Sequence, residues 1–204
     1  WIVADNYNAP YQKMEGKIFG TYYHITYKAS SDYENDILEQ LNKVDASLST
    51  FNAQSVVSRV NRNEKVKVDD MFKYVFNLAQ EVSDHTNGSF DITVAPLVNL
   101  WGFGFKNKEQ VNKAKVDSIM PFVGYKGVKL VKDYVVKQHQ ETMLDFSAIA
   151  KGYGCDVVAD FLEAHGVSSY MIEIGGEIRA NGLNSEGNQW TLGIEKPVDD
   201  STQQ

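Results

Sequence analysis

The chain has 204 residues, 43% of them hydrophobic, enough for one domain with a sizeable core. Its net charge of -7 comes without a lysine or arginine cluster, which excludes the basic footprint of nucleic-acid binding, and no apolar run reaches the length of a membrane-crossing helix. The single cysteine, Cys155, rules out an internal disulfide and leaves the redox compartment open.

Residues 1–15 are polar and aromatic without period and read as an arm; the chain starts at Trp1, so it reads as the remainder of a longer sequence. From Gly16, Phe19, Thr21, Tyr23, Ile25 and Tyr27 alternate with Gly20, Tyr22, His24 and Thr26, which predicts a β-strand containing His24 as an ordinary strand residue. Ser31 and Glu34 read as a capping box for a helix with the apolar stripe Ile37, Leu38, Leu41, Val44 and Leu48. Phe51 follows in a loop rich in Ser, Thr and Asn. An aromatic there either plugs a core edge or stacks on a flat ligand, and plugging is the expectation. Asp69 or Asp70 caps a second helix that buries Met71, Phe72, Val75, Phe76, Ala79 and Val82, with His85 in its last turn and Gly88 as its stop.

Asp91 and Thr93 are embedded in an apolar run, and buried polar groups must be paired, so they either cap backbone at a turn or hold a ligand. The GFGF at Gly102–Phe105 is a tight turn that lacks the third glycine of a dinucleotide fingerprint. Residues 107–119 read as an exposed helix, and Val128, Leu130, Val135 and Val136 as a hairpin turning near Lys132 and Asp133, with a solvated His139 beyond it.

The stretch LDFSAIAKGYGCD from Leu144 predicts a strand ending at Asp145 and a helix starting at Ser147, with Ile149, Tyr153, Val157, Phe161 and then Val158 and Leu162 on its buried stripe and His165 and Gly166 at its end. A helix start with free N–H groups, a positive dipole end and Lys151 suits an anion such as a diphosphate; a capped core helix with a surface lysine is the alternative. Tyr170, Ile172 and Ile174 lead into Gly175 and Gly176, a bulge or a close backbone approach, then Ile178 and Ala180. Trp190, Leu192 and Ile194 read as a last strand before a polar, loop-like DDSTQQ. These elements make an α+β domain with a mixed or antiparallel sheet packed against the helices from residues 32, 70 and 149, a single domain over 1–204 cut short at its C-terminal end.

Five segments, FGTYYHI from Phe19, LSTFNAQSVVSRVN from Leu48, GSFDITVAPLVNLWGFG from Gly88, LDFSAIAKGYGCD from Leu144 and IEIGGEIRANG from Ile172, are followed by a W-x-x-G-I-x-x-P pattern from Trp190 to Pro197. In this order the set resembles the ApbE-type flavin transferases, the FAD:protein FMN transferase family. The resemblance implies an ApbE-like flavin transferase fold and a magnesium-dependent enzyme that moves FMN from FAD to a Thr or Ser hydroxyl of a partner flavoprotein, releasing AMP. By position it puts Phe19 and Phe51 beside the flavin or the adenine half, Ser89, Phe90 and Asp91 in the same pocket, and Asp145 and Lys151 on the nucleotide. The carbonyl of Ala148 becomes one magnesium ligand, and Gly175 and Gly176 pack close by.

The family usually has methionine where Phe19 stands, and it continues into T-S-G-x-Y and H-x-x-D-P-x-T-G segments and a later Asp and Thr that this sequence does not contain. Its proposed catalytic histidine belongs to that part, so no catalytic residue is identified among the residues at hand. The alternatives are an FAD pyrophosphatase giving FMN and AMP, a non-catalytic FAD-binding protein, and an α+β domain unrelated to flavins. By resemblance, the location is periplasmic or on the extracytoplasmic face of a membrane, with attachment through an N-terminal lipid anchor outside this chain.

Overall fold

Tyr11–Ile18 (β1) and Thr21–Lys28 (β2) pair antiparallel around a two-residue turn, Phe19 and Gly20, both with positive φ. The computed structural model describes residues 8–102 and 111–193. The predicted strand from Gly16 is thus two strands, and the predicted arm contains the first of them from Tyr11. Alternation alone does not reveal a turn when an aromatic occupies one of its left-handed positions. Tyr170–Ile174 (β5) and Glu177–Asn181 (β6) complete an antiparallel sheet in the order β1-β2-β5-β6. Tyr23, Ile25 and Tyr27 of β2 and Tyr170, Ile172 and Ile174 of β5 are buried beneath the helices. His24 faces the other side, where its Nδ1 donates to Glu173 at 2.7 Å, as a strand residue should.

Gly175 and Gly176 form the turn of the β5–β6 hairpin, with φ of 55° and 90° and Ile174 opposite Glu177. This is the primed geometry that matches strand twist, so the pair is a turn and not a bulge. The close approach also holds at Gly175, where a Cβ would lie 2.7 Å from Thr21 Cγ2.

Glu34–Leu48 (α1) carries Ile37, Leu41, Val44 and Leu48 into the core. Its entry is fixed by Asp32, which accepts from the Glu34 N–H at 2.9 Å; the predicted Ser31 cap is not used. Val56–Asn61 (α2) is capped by Ser55. Asp69, rather than Asp70, caps Asp70–His85 (α3), which packs against α1. Val82 does not join its buried stripe and is 37% exposed. Ala95–Trp101 (α4) follows; residues 103–105 of the GFGF turn lie outside the described residues, as do 107–110, and Lys113–Ile119 (α5) is the described part of the predicted exposed helix. Val128–Val131 (β3) and Tyr134–Lys137 (β4) make the predicted hairpin, turning at Lys132 with φ 56°. His139 is half-buried with its ring 5.8 Å from that of Phe122, and so is not a freely solvated side chain.

No strand precedes Asp145. Residues 142–146 run without regular structure, and Lys137 steers them in by donating to the carbonyls of Val60, Gln140 and Thr142. Ser147–Ala164 (α6) then lies on β5 and β6 and against α1. Its C-terminus is closed by His165 Nδ1, which donates to the Phe161 carbonyl at 2.7 Å. Arg179 of β6 binds Asp156, Asp160 and Glu163 of α6 and fastens the helix to the sheet edge. Residues 190–193 are not a strand, and Ile194 and the DDSTQQ segment lie outside the described residues.

Gly154 of α6 faces the β1–β2 turn so closely that a Cβ there would lie 2.8 Å from the Phe19 ring. Gly154→Ala is expected to cost about 1–3 kcal/mol, the range for overpacking a tight contact, and to lower the urea midpoint. Burial pushes the neighbouring Cys155 thiol up to about 12. Folded protein therefore holds a proton that the unfolded chain loses from its ordinary value of 9.0, and this contribution to stability fades as pH rises from there toward 12. Iodoacetamide at about pH 8.5 is expected to label Cys155 only after denaturation, since the thiolate is the nucleophile.

Candidate functional site

The N-terminus of α6 is placed by backbone pairing. Asn61, the last residue of α2, donates through Nδ2 to the Leu144 carbonyl at 2.8 Å and accepts the Leu144 N–H at 2.7 Å, while the Asp145 N–H reaches the Ile92 carbonyl at 2.7 Å. One side-chain amide thus satisfies both polar groups of a residue that has no strand beside it. Asp145 Oδ1 then accepts the Ser147 N–H at 2.7 Å, so the carboxylate before the helix takes the capping role expected of Ser147. The N–H groups of Ile149 and Ala150 turn back to Phe146, leaving the N–H of exposed Ala148 without a partner among the described residues.

A cleft of about 600 Å³ opens in front of this helix start. The residues that the resemblance assigns to the nucleotide or the metal border it: Phe19 from the first hairpin, Phe51 from the loop after α1, Ser89, Phe90 and Asp91 from the turn before α4, and Asp145, Ala148 and Lys151 from the α6 region; Thr93, Gly175 and Gly176 do not. Its apolar wall, Leu48, Ile92, Val94 and Val98, was not anticipated as a wall, because these residues read only as core. A hollow of about 690 Å³ at the other end of the sheet, around Tyr11, Lys28 and Asn181, contains none of the predicted residues.

The two aromatics differ in setting. Phe19 is buried, 7% exposed, and shows the cleft only part of its ring. Phe51 is 64% exposed and does not plug the core; it lies over Gly20, where a Cβ would be 3.0 Å from its ring. The loop holds it outward because Asn52 donates to Asp45 at 2.7 Å and Ser55 to the Ser49 carbonyl at 2.7 Å, leaving the aromatic on the solvent side of a pinned turn.

Asp91 is a backbone organiser. Oδ1 accepts from Thr93 N at 2.7 Å and Thr93 Oγ1 at 2.6 Å, and Oδ2 accepts from Tyr125 N at 2.9 Å. Thr93 Oγ1 in turn accepts the Gly124 N–H at 2.7 Å. Of the two sequence alternatives, turn capping is what this pair does. Lys151 donates to the Gly175 carbonyl at 2.9 Å and lies 3.5 Å from Glu177, so the helix cation also ties down the second hairpin. Among its charged residues the cleft has one lysine facing two carboxylates, Asp91 and Asp145. No histidine borders it; His24, His85, His139 and His165 lie elsewhere.

The model of the ApbE family matches residues 19–204. An FAD:protein FMN transferase of Vibrio cholerae is 36% identical over 195 residues, covering 90% of this chain, and one of Haemophilus influenzae is 37% identical over 202 residues, covering 91%. The chain spans 58% of the length of each of these curated relatives. Among solved structures, a flavin transferase ApbE from Vibrio cholerae superposes with a TM-score of 0.86 at 36% identity, covering 93% of this chain and 65% of its own. A flavinyl transferase ApbE from Pseudomonas stutzeri, in apo form, gives 0.82 at 30% identity, covering 91% and 66%.

Asp91→Ala would strand the Tyr125 and Thr93 N–H groups. Hydrogen bonds to a charged acceptor contribute about 1.5–3 kcal/mol each, so a stability loss of at least about 2 kcal/mol is expected in urea denaturation without any ligand. An unchanged midpoint would mean that Asp91 is free to serve a ligand alone.

Proposed function

The chain belongs to the ApbE family, and on that premise we propose that the protein containing it transfers FMN from FAD to a Thr or Ser hydroxyl of a partner flavoprotein and releases AMP. The observation that carries this reading is the convergence of Phe19, Phe51, Ser89, Phe90, Asp91, Asp145, Ala148 and Lys151 on one cleft at a helix N-terminus. The unpartnered Ala148 N–H and the dipole end of α6 suit a diphosphate, and Phe51 offers a flat exposed face to a ring. In the transfer, the acceptor oxygen bonds to the FMN phosphorus, the bond from that phosphorus to the bridging oxygen breaks, and AMP departs with the bridging oxygen. The hydroxyl proton must pass to a base, and none of the four histidines of this chain borders the cleft to take it.

Magnesium dependence is part of the proposal. Two carboxylates and a diphosphate repel each other, and one lysine already bound to Gly175 and near Glu177 does not offset that charge. Among the described residues no group of three His, Cys, Asp or Glu side chains is placed to hold a metal ion. This stretch would accordingly supply the ion with the Ala148 carbonyl and the Asp145 carboxylate, and phosphate oxygens and water would fill most of its shell, as magnesium commonly requires. When bound, the ion would neutralise developing phosphate charge. The proposal includes an extracytoplasmic location with an N-terminal lipid anchor outside this chain; no helix among the described residues is long and apolar enough to cross a membrane.

The test is an FAD titration followed by flavin fluorescence, with and without magnesium, together with chromatography of the products and mass analysis of an acceptor peptide. FMN on the peptide together with free AMP is the expected result. Free FMN and AMP with an unmodified peptide would establish a pyrophosphatase instead, and absence of FAD binding would remove the reading. Lys151→Ala is expected to weaken FAD binding about tenfold, the worth of one charge-assisted hydrogen bond, and Asp145→Ala to weaken it when magnesium is present.

A further inference from the structure

Five of the buried serine and threonine hydroxyls among the described residues have a hydrogen-bond partner. Ser47 donates to Asp69, Ser55 to the Ser49 carbonyl, Ser83 to the Ala79 carbonyl, Thr93 to Asp91 and Thr142 to the Phe122 carbonyl. Ser49 breaks the pattern: the residue is 4% exposed and its Oγ makes no hydrogen bond. The second orphaned side-chain atom, Asn99 Oδ1, does not border the cleft; Ser49 does.

The position of Ser49 is not loose. Its N–H donates to the Asp45 carbonyl at 3.1 Å, and its own carbonyl accepts from Ser55 Oγ at 2.7 Å and from Asn52 N at 3.3 Å. The backbone is held from both sides, so the missing partner is not explained by disorder of the turn. A buried hydroxyl without a partner costs about 1–3 kcal/mol, and such a cost persists where the group has another use. Phe51 follows two residues later with its ring exposed at the same cleft.

We propose that Ser49 is a recognition residue of the cleft: on ligand binding its hydroxyl turns about the Cα–Cβ bond and donates to a carbonyl at the polar edge of the flavin ring, a group absent from the adenosine diphosphate half. The inference rests on the flavin reading given above and adds to it which half of the ligand this wall reads. The same hydroxyl stabilises nothing in the free chain, so replacing it has opposite consequences for the two states.

The experiment compares wild-type and Ser49→Ala full-length protein in fluorescence titrations with FAD and FMN, in competition with ADP, and in thermal melts without ligand. The expected result for Ser49→Ala is about tenfold weaker FAD and FMN binding, unchanged ADP competition and a melting temperature equal to or above that of the wild type. Unchanged FAD affinity with a binding-competent wild type overturns the role of Ser49 and leaves the flavin reading intact. A fall in affinity accompanied by a lower melting temperature, or an equal loss for ADP, also overturns it. If the wild type binds neither FAD nor FMN, the flavin reading fails and takes this inference with it.

Discussion

The backbone pairing at Leu144 and Asp145 is the constraint on which the site depends. The chain arrives there outside any sheet, and its polar groups are satisfied by one amide side chain from α2 and one carbonyl from the turn before α4. Three separate parts of the sequence are thereby locked at a single point, and that point is where α6 begins. The cleft walls are the surfaces these parts present on the way. Asn61 therefore governs geometry at a distance from any ligand, and the Asp145 cap fixes the first turn that faces the cleft.

Much of this was legible in the sequence, and the failures have physical causes. The helices around Leu41, Phe72 and Val158 declared themselves through spacing, since a buried stripe must recur at helical period. The cleft was legible only because motif order tied distant segments together; periodicity alone could not join Phe51 to Asp145. Capping went wrong by one or two positions at Ser31 and Ser147, where a neighbouring aspartate, with a longer, charged arm, accepts a backbone N–H at the helix start instead. Of the bulge or close approach expected at Gly175, the close approach holds and the bulge is a turn, because strand pairing on either side is set by long-range partners. Ser49 was invisible for a different reason: an unsatisfied hydroxyl is a property of surroundings, which composition does not record.

The charge balance of the cleft sets it apart from an ordinary anion pocket. Asp91 is bound to three donors of the turn it shapes, and Lys151 is occupied with Gly175. Lysine has three N–H bonds, so it can keep the Gly175 carbonyl and still offer a proton to a phosphate. A ligand with two phosphates meets a rigid helix end, one shared cation and a carboxylate; such a surface reads shape and hydrogen bonding before it reads charge.

Gly154 and Phe19 occupy one volume between them. The ring tucked under the first turn takes the space that any side chain on that face of α6 would need, and Ile174 closes the remaining gap, with its Cδ1 3.3 Å from where a Cβ would be. Volume gained at one position must be surrendered at the other, so substitutions at two sites 135 positions apart in sequence are not independent events. A lineage that trades the rigid ring for a slimmer, flexible side chain gains room for alanine in the helix, and with it a stiffer helix start; one that keeps the ring must keep the glycine.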